Sequence, residues 1–215
     1  MTDNVLNWRE INRRIAGRAQ LVAVSKTFGT LEIEPVLRAG QRRFGENRVQ
    51  ETQAKWPELR MRYPDAEVHL LGPLQSNKAA DAVALFDVIQ TLDRPKIAAA
   101  LAAEMKSQSR HLPCFVQVNI GREPQKAGVA PDDLQEFLKY AVQDLSLPII
   151  GLMCIPPVVE NPRPYFQELA RMAKQNGLKQ LSMGMSNDFE EAIAEGATYV
   201  RIGAAIFGGR PQITR

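Results

Sequence analysis

A lysine stands where a buried strand is predicted to end. Residues 21–24 form an apolar run, and Lys26 follows that run after a single serine. Such a run predicts a short strand over 21–26 that is buried on both faces. An ammonium group held against apolar walls loses hydration, which favours the neutral amine and makes it a nucleophile for carbonyl carbon. The alternative is a lysine whose side chain extends from the strand end into solvent.

Two stretches that contain small residues could hold an anion. Residues 182–188 read Ser-Met-Gly-Met-Ser-Asn-Asp, and residues 203–209 read Gly-Ala-Ala-Ile-Phe-Gly-Gly. Each lies at the start of a predicted helix, where unpaired backbone N–H groups with no bulky side chain nearby bind phosphate. For Ser186 and Asn187 the alternative is ordinary helix capping, because Asn187 and Glu190 have capping-box spacing.

An arginine interrupts the last predicted strand. Arg201 lies between Val200 and Ile202, where the interior of a barrel would normally take an apolar residue. A buried guanidinium keeps its proton and therefore needs hydrogen-bond acceptors. Arg201 could form an internal salt bridge, could lie on the helix side with its charge in water, or could donate to a ligand atom that stays unprotonated, such as a pyridine nitrogen.

The elements that must position these residues alternate regularly along the chain. Eight short strands, each separated from the next by a helix, are predicted at 21–26, 42–47, 68–72, 86–90, 114–119, 148–153, 177–183 and 199–203. This alternation favours one (β/α)8 barrel, a single domain over 1–215, over an open doubly wound sheet. Ligands of parallel α/β folds bind at the carboxyl ends of the strands, so Lys26 and both small-residue stretches would share one face.

Two helices stand out in the periodicity. An amphipathic helix over 3–18 precedes the first strand and is additional to the barrel pattern. The clearest apolar stripe follows Pro131 and consists of Leu134, Phe137, Leu138, Ala141, Val142 and Leu145. Pro131 is suited to the first turn of that helix, where its missing N–H costs nothing.

Composition narrows the class of protein. The net charge is +3 with 24% charged residues and no block of five like charges, so a nucleic-acid partner gets no support. The N-terminus lacks a secretory pattern and no apolar run reaches membrane-spanning length, so we expect a cytoplasmic protein. Cys114 and Cys154 lie in predicted strands and are expected to be buried free thiols, and no metal-ligand spacing is present.

One cofactor would use all three candidate features. A carbonyl-seeking lysine, a phosphate site and an arginine facing an unprotonated ring nitrogen together match pyridoxal 5′-phosphate, PLP. In this interpretation Lys26 forms the internal aldimine, the helix starts hold the phosphate and Arg201 faces the ring.

Six motifs in order carry a resemblance to a known family. They are Val22–Thr27, Phe44–Asn47, His69–Lys78, Gly151–Met153, Ser182–Asp188 and Val200–Gly208. The resemblance extends over nearly the whole chain. The sequence resembles the pyridoxal phosphate homeostasis protein family, relatives of the N-terminal barrel of alanine racemase. The resemblance implies a fold-type-III PLP barrel with the aldimine at Lys26.

The resemblance also implies roles for further residues. Phosphate ligation would come from Ser186 and from the backbone at Gly203 and Ala204, with Arg201 at the pyridine nitrogen. Pocket-lining residues implied by the family motifs are Asn47, His69 and Met153. The family is thought to bind, store or hand over PLP, with PLP-dependent apo-enzymes as recipients, and to keep vitamin B6 and amino-acid pools in balance with little or no turnover.

The expectation of low turnover has support in the sequence. Racemisation needs a base on each face of the carbanion, and an alanine racemase takes its second base from a tyrosine of an added C-terminal β domain. This sequence ends at Arg215 soon after the last predicted strand, and none of its four tyrosines lies in a motif. We therefore expect no such β domain and a monomer.

Rival functions remain open at this point. They are a PLP-dependent racemase of low activity, a cofactor-free barrel aldolase that uses Lys26 on a sugar phosphate, and an interaction scaffold in which PLP is incidental. Lys78 and Lys126 lie in predicted loops and are candidates for receiving PLP during transfer, although each could equally be a solvated surface lysine. His69 is expected to be a hydrogen-bonded core residue or a pocket wall.

Overall fold

The strands form a closed barrel. The computed structural model describes residues 3–158 and 161–209. Within them each strand pairs in parallel with the next, and the eighth pairs with the first. The strands are β1 (Gln20–Val24), β2 (Arg43–Glu46), β3 (Glu67–Leu70), β4 (Val88–Leu92), β5 (Cys114–Val118), β6 (Ile149–Cys154), β7 (Gln180–Ser182) and β8 (Tyr199–Ile202). The predicted (β/α)8 barrel is confirmed.

Helices surround the barrel in the order that the alternation predicts. They are α1 (Asp3–Ile15), α2 (Thr30–Arg38), α3 (Val49–Arg62), α4 (Ala79–Leu85), α5 (Pro95–Ser107), α6 (Leu134–Lys139), α7 (Arg163–Gln175), α8 (Phe189–Ala194) and α9 (Ala204–Phe207). Single 3-10 turns, Ser76–Lys78 and Pro131–Asp133, lead into α4 and α6.

Several strand boundaries differ from the prediction. β1 ends at Val24, so Lys26 lies two residues beyond the strand, in the turn that follows. β4 begins two residues later than predicted because Asp87 belongs to the preceding turn, where its carboxylate accepts a hydrogen bond from the Val68 N–H at 2.7 Å. β7 has three residues rather than seven, since Gly177, at φ +67°, lies in the turn that follows α7.

The predicted stripe behind Pro131 does not run through one regular helix. α6 ends at Lys139, and a π-helical turn continues from Tyr140 to Asp144. A π turn is wider than an α turn and rotates the residues that follow it around the axis. Ala141 remains buried, whereas Val142 is 46% exposed, so the predicted stripe does not continue as one buried face through Val142.

The additional helix α1 occupies space beside the short α9. It ends at Ile15, three residues earlier than predicted, because Ala16 and Gly17 both take positive φ angles. α1 packs against α2, α8 and α9, and the Asn7 amide donates to the Ile206 carbonyl at 3.2 Å. α1 thereby covers the side of the barrel where α9 has only four residues.

Side chains of the strands alternate between the two faces of the barrel wall. Outward residues join one large apolar core with the helices, as Val68, Ile89 and Val200 do. The inward face is mixed: Val88, Phe115 and Met153 form a separate apolar cluster. Alternation along the strands also places buried polar side chains on the inward face, namely His69, Gln90, Gln117, Ser182 and Arg201.

The two cysteines behave as the composition predicts. Cys114 and Cys154 are both free and fully buried. Burial raises the pKa of each thiol to about 12, so both stay protonated at neutral pH. In the part of the chain that the structure describes, no helix has the length and apolar character that crossing a membrane requires.

Close contact between β6 and β7 gives a stability prediction. A Cβ atom added at Gly151 would lie 2.1 Å from the Gln180 carbonyl oxygen, which belongs to backbone and cannot rotate away. Gly151→Ala should therefore lower the free energy of unfolding by about 1–3 kcal/mol, measured by urea denaturation. Gly209→Ala, where nothing lies within 4 Å, is the matched control and should change it by less than about 0.5 kcal/mol. Equal effects would show that the contact does not limit strand packing.

Candidate functional site

A cavity opens at the carboxyl ends of the strands. Its volume is about 300 Å³, a size typical of a small-ligand pocket. The side chains and backbone that line it come from the loops after β1, β2, β3, β6, β7 and β8. They are Val24, Lys26, Thr27, Phe28, Asn47, Leu71, Ile155, Met185, Ser186, Arg201, Gly203, Ala204 and Gly208.

Six of the eight predicted site residues line this cavity. They are Lys26, Asn47, Ser186, Arg201, Gly203 and Ala204. The other two, His69 and Met153, lie inside the barrel and are not among the lining residues. The fold therefore brings together residues that are up to 178 positions apart in the sequence. The sequence motifs did not indicate how deep along the barrel axis each side chain would lie.

Lys26 lies in a tight and strained turn. The Phe28 N–H donates to the Ser25 carbonyl at 3.2 Å, so the chain reverses directly around Lys26 and Thr27. Thr27 has a φ angle of +69°, which is rare for a β-branched residue and costs of the order of 1–3 kcal/mol. The Lys26 side chain is half-buried. A strained residue next to a candidate nucleophile indicates that the surrounding contacts impose this turn.

A second lysine, Lys55, which the sequence motifs did not indicate, forms hydrogen bonds to the backbone of this turn. The Lys55 Nζ atom of α3 donates to the carbonyl oxygens of Ser25 and Phe28, both at 2.9 Å. The Thr27 N–H donates to the Glu51 carboxylate, also on α3. α3 thus fixes the backbone on both sides of Lys26.

The Lys55 ammonium is paired with a buried carboxylate at the end of β2. Glu46 Oε1 lies 2.9 Å from Lys55 Nζ and accepts hydrogen bonds from Ser25 Oγ at 2.5 Å and Trp56 Nε1 at 3.0 Å. Burial raises the pKa of Glu46, and the Lys55 charge opposes that rise. The only signal in the sequence was a Glu and a Lys nine residues apart, which does not predict contact.

The loops after β7 and β8 meet at the opposite side of the cavity. Ser186 Oγ accepts a hydrogen bond from the Ala205 N–H at 3.4 Å, in the first turn of α9. N–H groups in a first helical turn have no partner within the helix and are available to an anion. Gly203 lies against β1, since a Cβ atom there would be 3.0 Å from the Val24 carbonyl oxygen.

The helix after β7 does not use Asn187 as a cap. α8 begins at Phe189, so Asp188 is its N-cap residue, and Asp188 Oδ1 accepts from the Met185 N–H at 2.6 Å. The capping-box alternative for Asn187 and Glu190 was therefore wrong by one position. Gly184 is needed in this loop, because it takes a φ of +90° and a Cβ atom would approach Ala192 to 2.5 Å.

Arg201 is buried with its side chain directed inward. Its Nη1 donates to Ser182 Oγ and its Nη2 to the Cys154 carbonyl oxygen, both at 2.9 Å. Burial lowers the pKa of the guanidinium, while Cys154 and the Asp188 carboxylate act in the opposite direction. Both of these acceptors are neutral, unlike the carboxylate acceptor of an arginine in a salt bridge.

His69 and Met153 form part of the barrel interior. His69 is fully buried and its two ring nitrogens lie 2.8 Å from Glu67 Oε1 and 2.7 Å from Gln90 Nε2. Met153 packs with Val88 and Phe115. Neither side chain is among those that line the cavity.

The two alternative lysines lie outside the cavity. Lys78 lies 3.5 Å from Asp81 and lines a neighbouring cleft that shares Asn47 with the cavity. Lys126 Nζ lies 2.5 Å from Glu123 and donates to the Pro156 carbonyl at 3.2 Å. Both ammonium groups are occupied by surface contacts.

An apolar rim, missed by the sequence reasoning, surrounds the mouth of the cavity. Ile155 and Met185 line the cavity and are each 37% exposed, and Phe28, which also lines it, packs its ring against the buried ring of Phe207 at 5.2 Å. Such side chains offer a surface for a flat ring without fixing its position. The sequence did not identify these residues, because an apolar residue in a loop can be buried in the core or can lie at the edge of a pocket.

The comparison with protein families defines the class first. The family model for the N-terminal domain of alanine racemase matches residues 5–211, in agreement with the barrel and its cavity. The pyridoxal phosphate homeostasis protein of Aquifex aeolicus is 38% identical over 201 residues, covering 89% of this chain and 87% of that protein. The corresponding protein of Vibrio alginolyticus is 40% identical over 201 residues, covering 89% and 86%. The chain belongs to the pyridoxal phosphate homeostasis protein family.

Solved structures agree with this placement. PipY of Synechococcus elongatus, solved with PLP bound, has a TM-score of 0.87 and 37% identity, covering 95% of this chain and 100% of PipY. The alanine racemase of Bartonella henselae, with covalently bound pyridoxal phosphate, has a TM-score of 0.75 and 16% identity, covering 99% of this chain and 61% of the racemase. At 16% identity, the similarity to the alanine racemase shows a shared fold and nothing about function.

The buried pair of Glu46 and Lys55 gives a prediction that depends on pH. Lys55→Met leaves the Glu46 carboxylate buried without its counter-charge and should lower the free energy of unfolding by about 3–5 kcal/mol at neutral pH. Loss of the Lys55 charge raises the pKa of Glu46 further, so the folded state binds a proton more tightly than the unfolded state. The deficit should therefore shrink as the pH falls through the folded-state pKa toward the ordinary value of 4.5.

The matched control removes both charges. Lys55→Met combined with Glu46→Gln should regain part of the lost stability at neutral pH, and its stability relative to the original chain should depend less on pH. Urea denaturation from about pH 4, just below the ordinary pKa of glutamate, to about pH 8 measures both variants. A pH-independent deficit for Lys55→Met would contradict an unpaired Glu46 charge.

Proposed function

We propose that the cavity binds PLP and that the Lys26 amine holds it covalently. The observation that carries this proposal is the donor set around one cavity: a half-buried amine, a hydroxyl beside a helix start, and a buried guanidinium with neutral acceptors. PLP supplies an aldehyde for the amine, a phosphate for the helix start and a pyridine nitrogen for the guanidinium. PipY, which is 37% identical, binds PLP.

The residues of the chain would act in separate ways. Ser186 and the N–H groups at Gly203 and Ala204 would bind the phosphate, because a hydroxyl and unpaired helix-start donors suit an anion. Arg201 would donate to the ring nitrogen and keep it unprotonated, since a guanidinium cannot accept a proton. Asn47 would contact the ligand from the loop after β2. His69 and Met153 would support the pocket from the barrel interior.

The biological role in this proposal is PLP homeostasis. The chain would hold PLP and hand it to PLP-dependent apo-enzymes in the cytoplasm, which would balance vitamin B6 and amino-acid pools. Ile155 and Met185 line the cavity and are partly exposed to solvent, so in this proposal exchange does not require the barrel to open. We further propose that 1–215 is a single domain and acts as a monomer.

Little or no turnover is part of the proposal. Tyr63, Tyr140, Tyr165 and Tyr199 are all described, and none is among the residues that line the cavity. A second base on the far face of the ligand would therefore have to come from elsewhere. An unprotonated ring also withdraws electrons less strongly, which disfavours loss of the Cα proton of an amino acid.

Trapping the cofactor tests the covalent link. The purified protein should absorb visible light after incubation with PLP, and borohydride reduction followed by peptide mapping should place a pyridoxyl group on Lys26. Lys26→Ala should remove the absorbance because no other amine lines the cavity among the described residues. Lys78→Ala and Lys126→Ala are the matched controls and should retain it. A pyridoxyl group on another lysine, with none on Lys26, would overturn the assignment.

A separate measurement tests turnover. The PLP-loaded protein, incubated with L-alanine in D2O, should exchange the Cα proton at a rate no more than about tenfold above free PLP, because no second base is positioned. Proton NMR follows the exchange, and an alanine racemase serves as the positive control. Fast exchange that disappears in Lys26→Ala would identify a racemase instead.

A further inference from the structure

A line of hydrogen bonds crosses the interior of the barrel from the cavity to the opposite end. Arg201 Nη1 lies 2.9 Å from Ser182 Oγ, and Ser182 Oγ lies 2.5 Å from Gln90 Oε1. Gln90 Nε2 lies 2.7 Å from His69 Nδ1, and His69 Nε2 lies 2.8 Å from Glu67 Oε1. The line runs through β8, β7, β4 and β3.

The two ends of the line are in different surroundings. Arg201 lines the cavity at the carboxyl ends of the strands. Glu67 is the first residue of β3, its side chain is 32% exposed, and it lies 3.4 Å from Arg43 at the start of β2. The three residues between them, Ser182, Gln90 and His69, are completely buried. The line therefore joins the cavity to solvent at the amino-terminal end of the barrel.

Chemistry fixes the direction of every donor in the line. Arg201 can only donate, so Ser182 Oγ accepts from it and gives its own hydrogen to Gln90 Oε1. The Gln90 amide must then present its N–H to His69 Nδ1, which accepts. His69 carries its hydrogen on Nε2 and donates to the Glu67 carboxylate, whose pKa this hydrogen bond lowers. Ser182, Gln90 and His69 thus each accept one hydrogen bond and donate one, while Arg201 only donates and the Glu67 carboxylate only accepts.

From this order we propose that Ser182, Gln90 and His69 are positioning residues that fix the orientation of the Arg201 guanidinium toward the cavity. This inference rests on the proposed function in one respect, the identity of PLP as the ligand that Arg201 contacts. The proposal also gives a role to His69, which belongs to a family motif but does not line the cavity. His69 acts on Arg201 through Gln90 and Ser182. Apolar residues could fill the same volume, but they would leave the guanidinium without its Ser182 acceptor.

A histidine tautomer provides the first test, and it needs no substitution. The chain contains two histidines, His69 and His111, and His111 is exposed. In ¹⁵N NMR of histidine-labelled protein without PLP, His69 should show hydrogen on Nε2 and a bare Nδ1, as the donor order requires. His111 should show the averaged signals of a solvent-exposed ring. Hydrogen on Nδ1 of His69 would overturn the donor order.

A pair of isosteric variants tests the positioning role. Ser182→Thr keeps the hydroxyl and Ser182→Val replaces it by a methyl group, so both add the same volume to the buried site. In protein without PLP, the Nη1 resonance of Arg201 should stay resolved in Ser182→Thr and broaden in Ser182→Val, because Nη1 loses its acceptor while Nη2 keeps the Cys154 carbonyl. PLP should bind Ser182→Val about tenfold more weakly than Ser182→Thr. Equal Arg201 signals in the two variants would overturn the proposal.

A change further along the line separates positioning from simple loss of packing. Gln90→Met removes the acceptor of the Ser182 hydroxyl but keeps a side chain of similar length. Its effect on PLP affinity should be less than additive with Ser182→Val, because both break the same line. Phe115→Leu, in the apolar cluster of the barrel interior, should be additive with Ser182→Val. Additivity of Gln90→Met as well would show that the two residues act independently.

The two proposals fail in different ways. If the original protein does not bind PLP, the proposed function fails, while the His69 tautomer and the Arg201 resonances still test the line. If PLP binds at Lys26 but Ser182→Val matches Ser182→Thr in affinity and in the Arg201 signals, the positioning proposal fails and the proposed function stands.

Discussion

The site depends on one buried carboxylate. Glu46 ends β2, and its Oε1 atom meets Ser25 from β1 and both Lys55 and Trp56 from α3. A charge in the interior is costly unless it is paired and hydrogen-bonded, so these partners must stay in place while the protein is folded. The same ammonium that neutralises Glu46 binds the backbone on both sides of Lys26. Charge neutralisation in the core is therefore coupled to the geometry of the turn that carries the amine.

The barrel separates stability from binding by the two faces of its strands. The outward face joins the large apolar core, which supplies most of the favourable burial. The inward face contains Gln90, Ser182 and Arg201, which hydrogen-bond to one another, and a buried polar group that lost its partner would be costly. A substitution on the outward face of a strand is thus expected to change the free energy of unfolding. A substitution of Gln90 or Ser182 on the inward face is expected to change the orientation of the Arg201 guanidinium as well.

The sequence predicts the architecture well and the site in part, for physical reasons. Alternating apolar runs and helices define the barrel because burial on both faces of a parallel strand leaves a clear pattern. Lys26 and Arg201 are visible because each is a charged residue at the end or centre of such a run. Thr27 gives no warning of its positive φ, since the strain is imposed by contacts from α3. His69 belongs to a motif, but a motif does not give its depth in the barrel.

The contact between α1 and α9 has a consequence for folding. Asn7 and Ile206 are 199 positions apart in sequence, and β1 pairs with β8 across a similar separation. Contacts between such distant segments carry the full entropy of loop closure and form late during folding. The helix start that would bind the phosphate belongs to this late region. During synthesis, a ribosome-bound chain that lacks β8 and α9 therefore has an incomplete pocket, and the ligand can stabilise the protein only after nearly all of it has been made.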